Sequence, residues 1–167
     1  MPTLLLIRHA AAAERDPQKW PDDADRPLTR KGARRFRDLL EAIELPDLAQ
    51  NQGRILSSRY ARAWETAEIL AEHVGADAER CTALEEQGVD AMLQAVRASL
   101  AGGVASVAMV GHEPFMSTLA GQLLGAPQWP ARLRFRKGAI AALRIDASLE
   151  PGTAALEWFV APGLVKT

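Results

Sequence analysis

Three short apolar runs, each ending in polar residues able to do chemistry, constrain this chain most. Thr3 to Ile7 and Val104 to Val110 are continuous apolar runs, and Arg54 to Leu56 opens a shorter one. Runs of that length and character suit strands buried on both faces of a sheet. Helical spacing follows each. Thr29 is placed to cap a helix running to about Ile43, with Leu28, Ala33, Phe36, Leu39, Leu40 and Ile43 on one face. Ala61, Trp64, Ala67, Ile69, Leu70 and Ala71 give a second helix to about His73, closed by Gly75. Asp90 is expected to cap a third through Leu100, and a fourth spans about Phe115 to Leu124. Ala139–Ile145 and Ala154–Val160 read as late strands, while Glu14–Pro27, with three prolines, reads as a loop. Strands alternating with helices predict an α/β fold, a three-layer α-β-α sandwich on a mostly parallel central sheet.

In such sheets ligands bind beyond the carboxyl ends of the strands. Three polar clusters occupy those ends: Arg8-His9, Ser57-Ser58 with Arg62, and Gly111-His112. An arginine ending a buried strand needs a partner, and its planar fork of donors matches phosphate or carboxylate. A histidine beside it can attack, shuttle a proton or bind a metal. Arg62 falls in the first turn of its helix, where free N–H groups favour an anion, and His112 precedes another helix. Taken one at a time, each has an ordinary structural reading: a solvated strand end, a surface arginine, a capping histidine. His73 and Arg59 keep such readings.

Composition narrows the classes of partner. With 20 basic and 21 acidic residues the net charge is -1, which argues against bulk attraction to nucleic acid or acidic membranes. The single cysteine, Cys81, permits no internal disulfide and fits a reducing compartment. No 18-residue apolar stretch or signal-like segment is present, so a cytoplasmic location is expected. The 167 residues suit one domain over 1–167. The histidines lack the HxH or HxxxH spacing of a metal site, so neither a metal nor a cofactor is expected.

Four segments, in order, resemble the histidine phosphatase superfamily, the phosphoglycerate mutase-like fold. LLLIRHA resembles its opening strand and Arg-His-Gly motif, with Ala10 in place of glycine. RPLTRKG, Arg26 to Gly32, resembles its proline-leucine-threonine element. SRYARAWETA resembles its serine, arginine, glutamine-threonine-alanine pattern, with Glu65 in place of glutamine, and VGHEP its second histidine motif. The resemblance covers essentially the whole chain, and the short length is most similar to the SixA phosphohistidine phosphatases. It implies His9 as the nucleophile, forming a covalent phosphohistidine, with Arg8, Arg62 and His112 binding the phosphoryl group. Ala10 is expected to leave the backbone after His9 less free, and Glu65 to place negative charge one turn from Arg62.

Larger members of that superfamily protonate the leaving oxygen with a carboxylic acid. Here Glu85 and Glu86 are the candidates, with a solvated acidic loop as the plain alternative. An imidazole leaving group places less demand on an enzymic acid than an alkoxide does, because its nitrogen protonates near pH 6.5. Little sequence remains between Thr66 and Gly111 for a large lid insertion, so an open groove is expected. Both points favour phosphohistidine on a protein, such as a histidine-containing phosphotransfer domain. The alternatives are a broad small-molecule phosphomonoesterase and a non-catalytic phosphoprotein-binding module.

Overall fold

The computed structural model describes residues 1–46, 48, 52–85, 88–126, 128 and 133–163. Six strands form one sheet: β1 (Thr3–Arg8), β2 (Gly53–Ser57), β3 (Ala78–Arg80), β4 (Ser106–Gly111), β5 (Ile140–Arg144) and β6 (Ala155–Val160). Their order is β3-β2-β4-β1-β5-β6. The first four are mutually parallel, while β5 runs antiparallel to β1, and β6 to β5. Four helices connect them: α1 (Arg30–Glu41), α2 (Ala61–Val74), α3 (Val89–Ala101) and α4 (Phe115–Leu123).

The uninterrupted apolar run of β1 is explained by burial on both faces. Leu5 and Ile7 pack with Phe36, Leu39 and Leu70 of α1 and α2. Leu4 and Leu6 point the other way, into Met92, Val96 and Leu119 of α3 and α4. These four β1 side chains are wholly buried, each contributing about 1.5–3 kcal/mol of transfer free energy. The result is the expected three-layer sandwich.

The helix ends carry their own signals. Thr29 caps α1, accepting the Gly32 N–H at 2.9 Å. Gly75 ends α2 in the left-handed region, at φ 68°. Gly32 also lies against the loop that leaves β1. A Cβ there would sit 2.2 Å from the Ala11 carbonyl oxygen, and that oxygen accepts from the Thr29 N–H and hydroxyl. The loop after β1 is thereby fastened to the start of α1.

Several boundaries differ from the sequence expectations. The edge strand β3 was not anticipated, because three half-exposed or exposed residues carry no apolar pattern. α3 starts at Val89 after Gly88 at φ 90°, so Asp90 lies in its first turn instead of capping it. α1 stops at Glu41, although Ile43 still packs against the core. β4 begins at Ser106, later than Val104. No helix among the described residues is long and apolar enough to cross a membrane.

Candidate active site

Strands β2, β4 and β1 are adjacent and in register, so their carboxyl ends come out level. Arg8 pairs with Gly111, and Ser57 with Val110. Two further bonds stitch the exits together: the His9 N–H donates to the Gly111 carbonyl at 3.0 Å, and the Ser58 N–H to the Val110 carbonyl at 3.1 Å. This is why residues far apart in sequence meet. The His9 and His112 rings lie 5.3 Å apart, centre to centre. The Arg62 guanidinium carbon sits 5.0 Å from the centre of the Tyr60 ring, which packs 4.9 Å from His112.

Three of the four side chains of the site are largely buried. His9 and Arg62 are 6% exposed and His112 9%. The His9 Nδ1 lies 2.7 Å from the Ala10 carbonyl oxygen. A carbonyl only accepts, so Nδ1 carries the proton and Nε2 keeps the lone pair. Burial is the main reason that the His9 pKa falls to about 3. Its bond to Ala10 opposes that fall, and the positive charges of His112, Arg62 and Arg8 reinforce it. His112 is lowered to about 4, again mainly by burial, with Arg62 and Arg8 adding to it. Both rings are therefore neutral near pH 7. His112 is held by Ser58, with Nε2 3.0 Å from its hydroxyl oxygen.

The arginines are held from behind. Arg8 Nη1 donates to the Phe135 carbonyl at 2.7 Å. Arg62 Nη1 donates to the Asp23 backbone carbonyl at 2.7 Å, and its Nη2 lies 3.1 Å from the Asp23 carboxylate. Each guanidinium also keeps a buried Nε–H with no acceptor among the described residues. Unpaired buried donors cost roughly 1–3 kcal/mol each, so this cationic cluster is not arranged for stability alone.

Asp23 is a part of the site that the sequence pattern did not single out. It binds Arg26 at 2.9 Å and Arg15 at 3.3 Å as well as Arg62. Hydrogen bonds from Arg26, foremost, and from Arg15 hold its carboxyl down at about 2. Only the acidic cluster Asp22-Asp23-Asp25 before Pro27 hinted at it, and such clusters usually belong to solvated loops. Thr66 is the threonine of the SRYARAWETA pattern, which by itself assigns it no contact. Its hydroxyl donates to the Arg62 carbonyl at 2.6 Å and accepts the Ala10 N–H at 3.0 Å, tying α2 to the residue after His9.

The two departures noted in the sequence prove benign in geometry. Ala10 is not among the positive-φ residues, so its position does not require glycine. Glu65 turns its carboxylate to the Leu28 N–H at 2.7 Å, where it supports the entry to α1. As for the acid candidates, Glu85 accepts from the Arg59 backbone N–H at 3.2 Å and from Arg59 Nε at 3.1 Å. Glu86 lies outside the described residues. Among the described residues no three His, Cys, Asp or Glu side chains converge into a metal-binding group.

The profile of the histidine phosphatase superfamily, branch 1, matches residues 4–93. The chain belongs to that superfamily. An uncharacterised protein of Picosynechococcus sp. strain PCC 7002 is 33% identical over 147 residues, 87% of this chain and 86% of that one. A candidate phosphohistidine phosphatase SixA from Nakamurella multipartitia is 26% identical, with a TM-score of 0.79, covering 97% of this chain and 96% of its own. The protein histidine phosphatase SixA bound to tungstate has a TM-score of 0.77 at 24% identity, covering 98% and 99%; at that identity the likeness is one of fold. This histidine phosphatase is thus of the SixA type, and phosphatase chemistry is its family's activity.

Proposed function

We propose that this phosphatase transfers the phosphoryl group of a protein phosphohistidine to His9 Nε2 and then to water. The observation that carries the proposal is the bond from His9 Nδ1–H to the Ala10 carbonyl, which leaves Nε2 unprotonated in the field of the Arg8 and Arg62 guanidiniums. In the first step the Nε2 lone pair attacks phosphorus. The N–P bond to His9 forms as the bond from phosphorus to the substrate imidazole breaks, and that imidazole takes up a proton. In the second step water attacks phosphorus, the His9 N–P bond breaks, the water gives up a proton and orthophosphate leaves. His9 ends neutral, as it began.

Arg8 and Arg62 neutralise the equatorial oxygens, and His112 donates a hydrogen bond to them. Phosphoryl transfer depends mainly on such positioning and charge. A bound dianion also raises the His112 pKa by opposite charge, strengthening that donor. No metal is needed if these groups carry the neutralisation. The complex of the SixA relative with tungstate, a phosphate-like oxyanion, supports oxyanion binding. The pairing of Glu85 with Arg59 leaves its carboxylate engaged as an acceptor. An engaged Glu85 favours a leaving group that needs little enzymic acid, as imidazole does.

The test is phosphate release by wild type and His9→Ala, with and without chelator. The substrates are a histidine-phosphorylated phosphotransfer domain, a sugar phosphate and a phosphoserine peptide. Wild type should act on the phosphohistidine protein regardless of chelator. It should pass through an acid-labile, alkali-stable label on the enzyme, and His9→Ala should lose both turnover and label. Preference for the sugar phosphate would replace this reading with a small-molecule phosphatase. Retained function in His9→Ala would favour a binding module.

A further inference from the structure

Phe135 to Gly138, just before β5, run alongside the two residues at the end of β1. Arg8 donates to the Phe135 carbonyl, and the Gly138 N–H lies 3.1 Å and 2.9 Å from the Arg8 and His9 carbonyls. Phe135 is buried and packs edge-on against Phe159, with ring centres 5.1 Å apart. Its anchoring turns the neighbouring side chains outward, and Arg134, Arg136 and Lys137 are all exposed.

These three cations differ from those on the other loops of the site. Arg15, Arg26 and Arg62 share Asp23, Lys19 pairs with Asp16, and Arg59 pairs with Glu85. Among the described residues no carboxylate lies within ion-pair distance of Arg134, Arg136 or Lys137. Three like charges within four residues repel one another, yet they are held next to the phosphoryl-binding strand. Among the described residues, these three positive charges are thereby left without an ion-pair partner beside the end of β1.

Building on the phosphohistidine reading, we infer that Arg134, Arg136 and Lys137 form a docking strip for an acidic protein surface surrounding the phosphorylated side chain. Arginines flanking the anchored Phe135 suit carboxylates at a protein interface, where they raise the association rate and set orientation. A nucleic acid fits less well. Three cations would engage only a few of its evenly spaced phosphates, and a chain of net charge -1 offers little bulk attraction beyond them.

The test compares Arg134→Glu/Arg136→Glu with a matched reversal on the outer face of α1, Arg34→Glu/Arg35→Glu. Each is assayed at low and high salt on a histidine-phosphorylated phosphotransfer domain of negative net charge and on p-nitrophenyl phosphate. At low salt the strip variant should lose about tenfold or more in kcat/KM on the protein, mostly through KM. It should change by less than about twofold on p-nitrophenyl phosphate, as should the α1 variant on both. Added salt should slow wild type on the protein and leave the strip variant nearly unaffected. Equal losses on the small ester would mean that the strip serves the phosphate pocket, and unchanged protein turnover would mean that it serves nothing; either overturns the inference. So would a gain of nucleic-acid inhibition specific to the strip. Failure of wild type to act on the protein, with p-nitrophenyl phosphate still hydrolysed, would instead overturn the phosphohistidine reading beneath it.

Discussion

Asp23 shows how a residue with no chemistry of its own can govern one that has it. It holds Arg62 through both its backbone carbonyl and its carboxylate, reaching it from the segment before α1. Asp23→Asn keeps the backbone bond and weakens the charged one. We expect kcat/KM to fall about tenfold to a hundredfold, with phosphate binding weakened in parallel, as for a misplaced positioning contact. Steady-state kinetics and phosphate titration would check this, with Asp23→Glu recovering part of the loss. The buried histidines set a second expectation. Their folded pKa values, about 3 and about 4, lie below the unfolded value near 6.5. Above pH 6.5 neither state binds the protons, and stability is unaffected. As pH falls below 6.5 the unfolded chain gains protons that the fold refuses, so stability drops until about pH 4 to 3. Urea unfolding at pH 7.5 and 5 should differ by a few kcal/mol, on the order of 1–2 for each ring, and His112→Asn should flatten the slope. At this scale Arg8, His9, Arg62 and His112 were legible because each follows or opens a recognisable element. Asp23 was not, because loop contacts have no period to read.

Among the elements, α1 bears on the site most directly without supplying any of its side chains. Its first turn lies against the carbonyl of Ala11, two residues beyond His9. Gly32→Ala would drive a methyl group into that carbonyl, and overpacking of this kind costs about 1–3 kcal/mol or more. The expected outcome is a lower urea midpoint and, because the loop after His9 must shift, a lower kcat. Thermal unfolding and kinetics on the same sample would separate the two effects. The central strands and all four helices were legible from hydrophobic spacing and from caps such as Thr29 and Gly75. β3 was invisible for a physical reason: it is an edge strand held by pairing with β2, not by burial of its own side chains. The start of α3 was misplaced because Gly88, not an acidic cap, makes the turn into it.

For the molecule as a whole, the order of strands differs from the order of the chain. β4 stands between β1 and β2, which share no pairing with each other. Through the sheet, the strand ends that precede His9 and Arg62 are not joined until the chain has reached Gly111. During synthesis the first hundred residues can build helices and local turns, yet the centre of the sheet waits for a strand that arrives late, a long-range closure of the slow kind. The consequence is temporal: a chain interrupted before β4 leaves β1 and β2 without the strand that joins them in the sheet, and the ends carrying His9 and Ser58 come level only when a single late strand enters between two early ones.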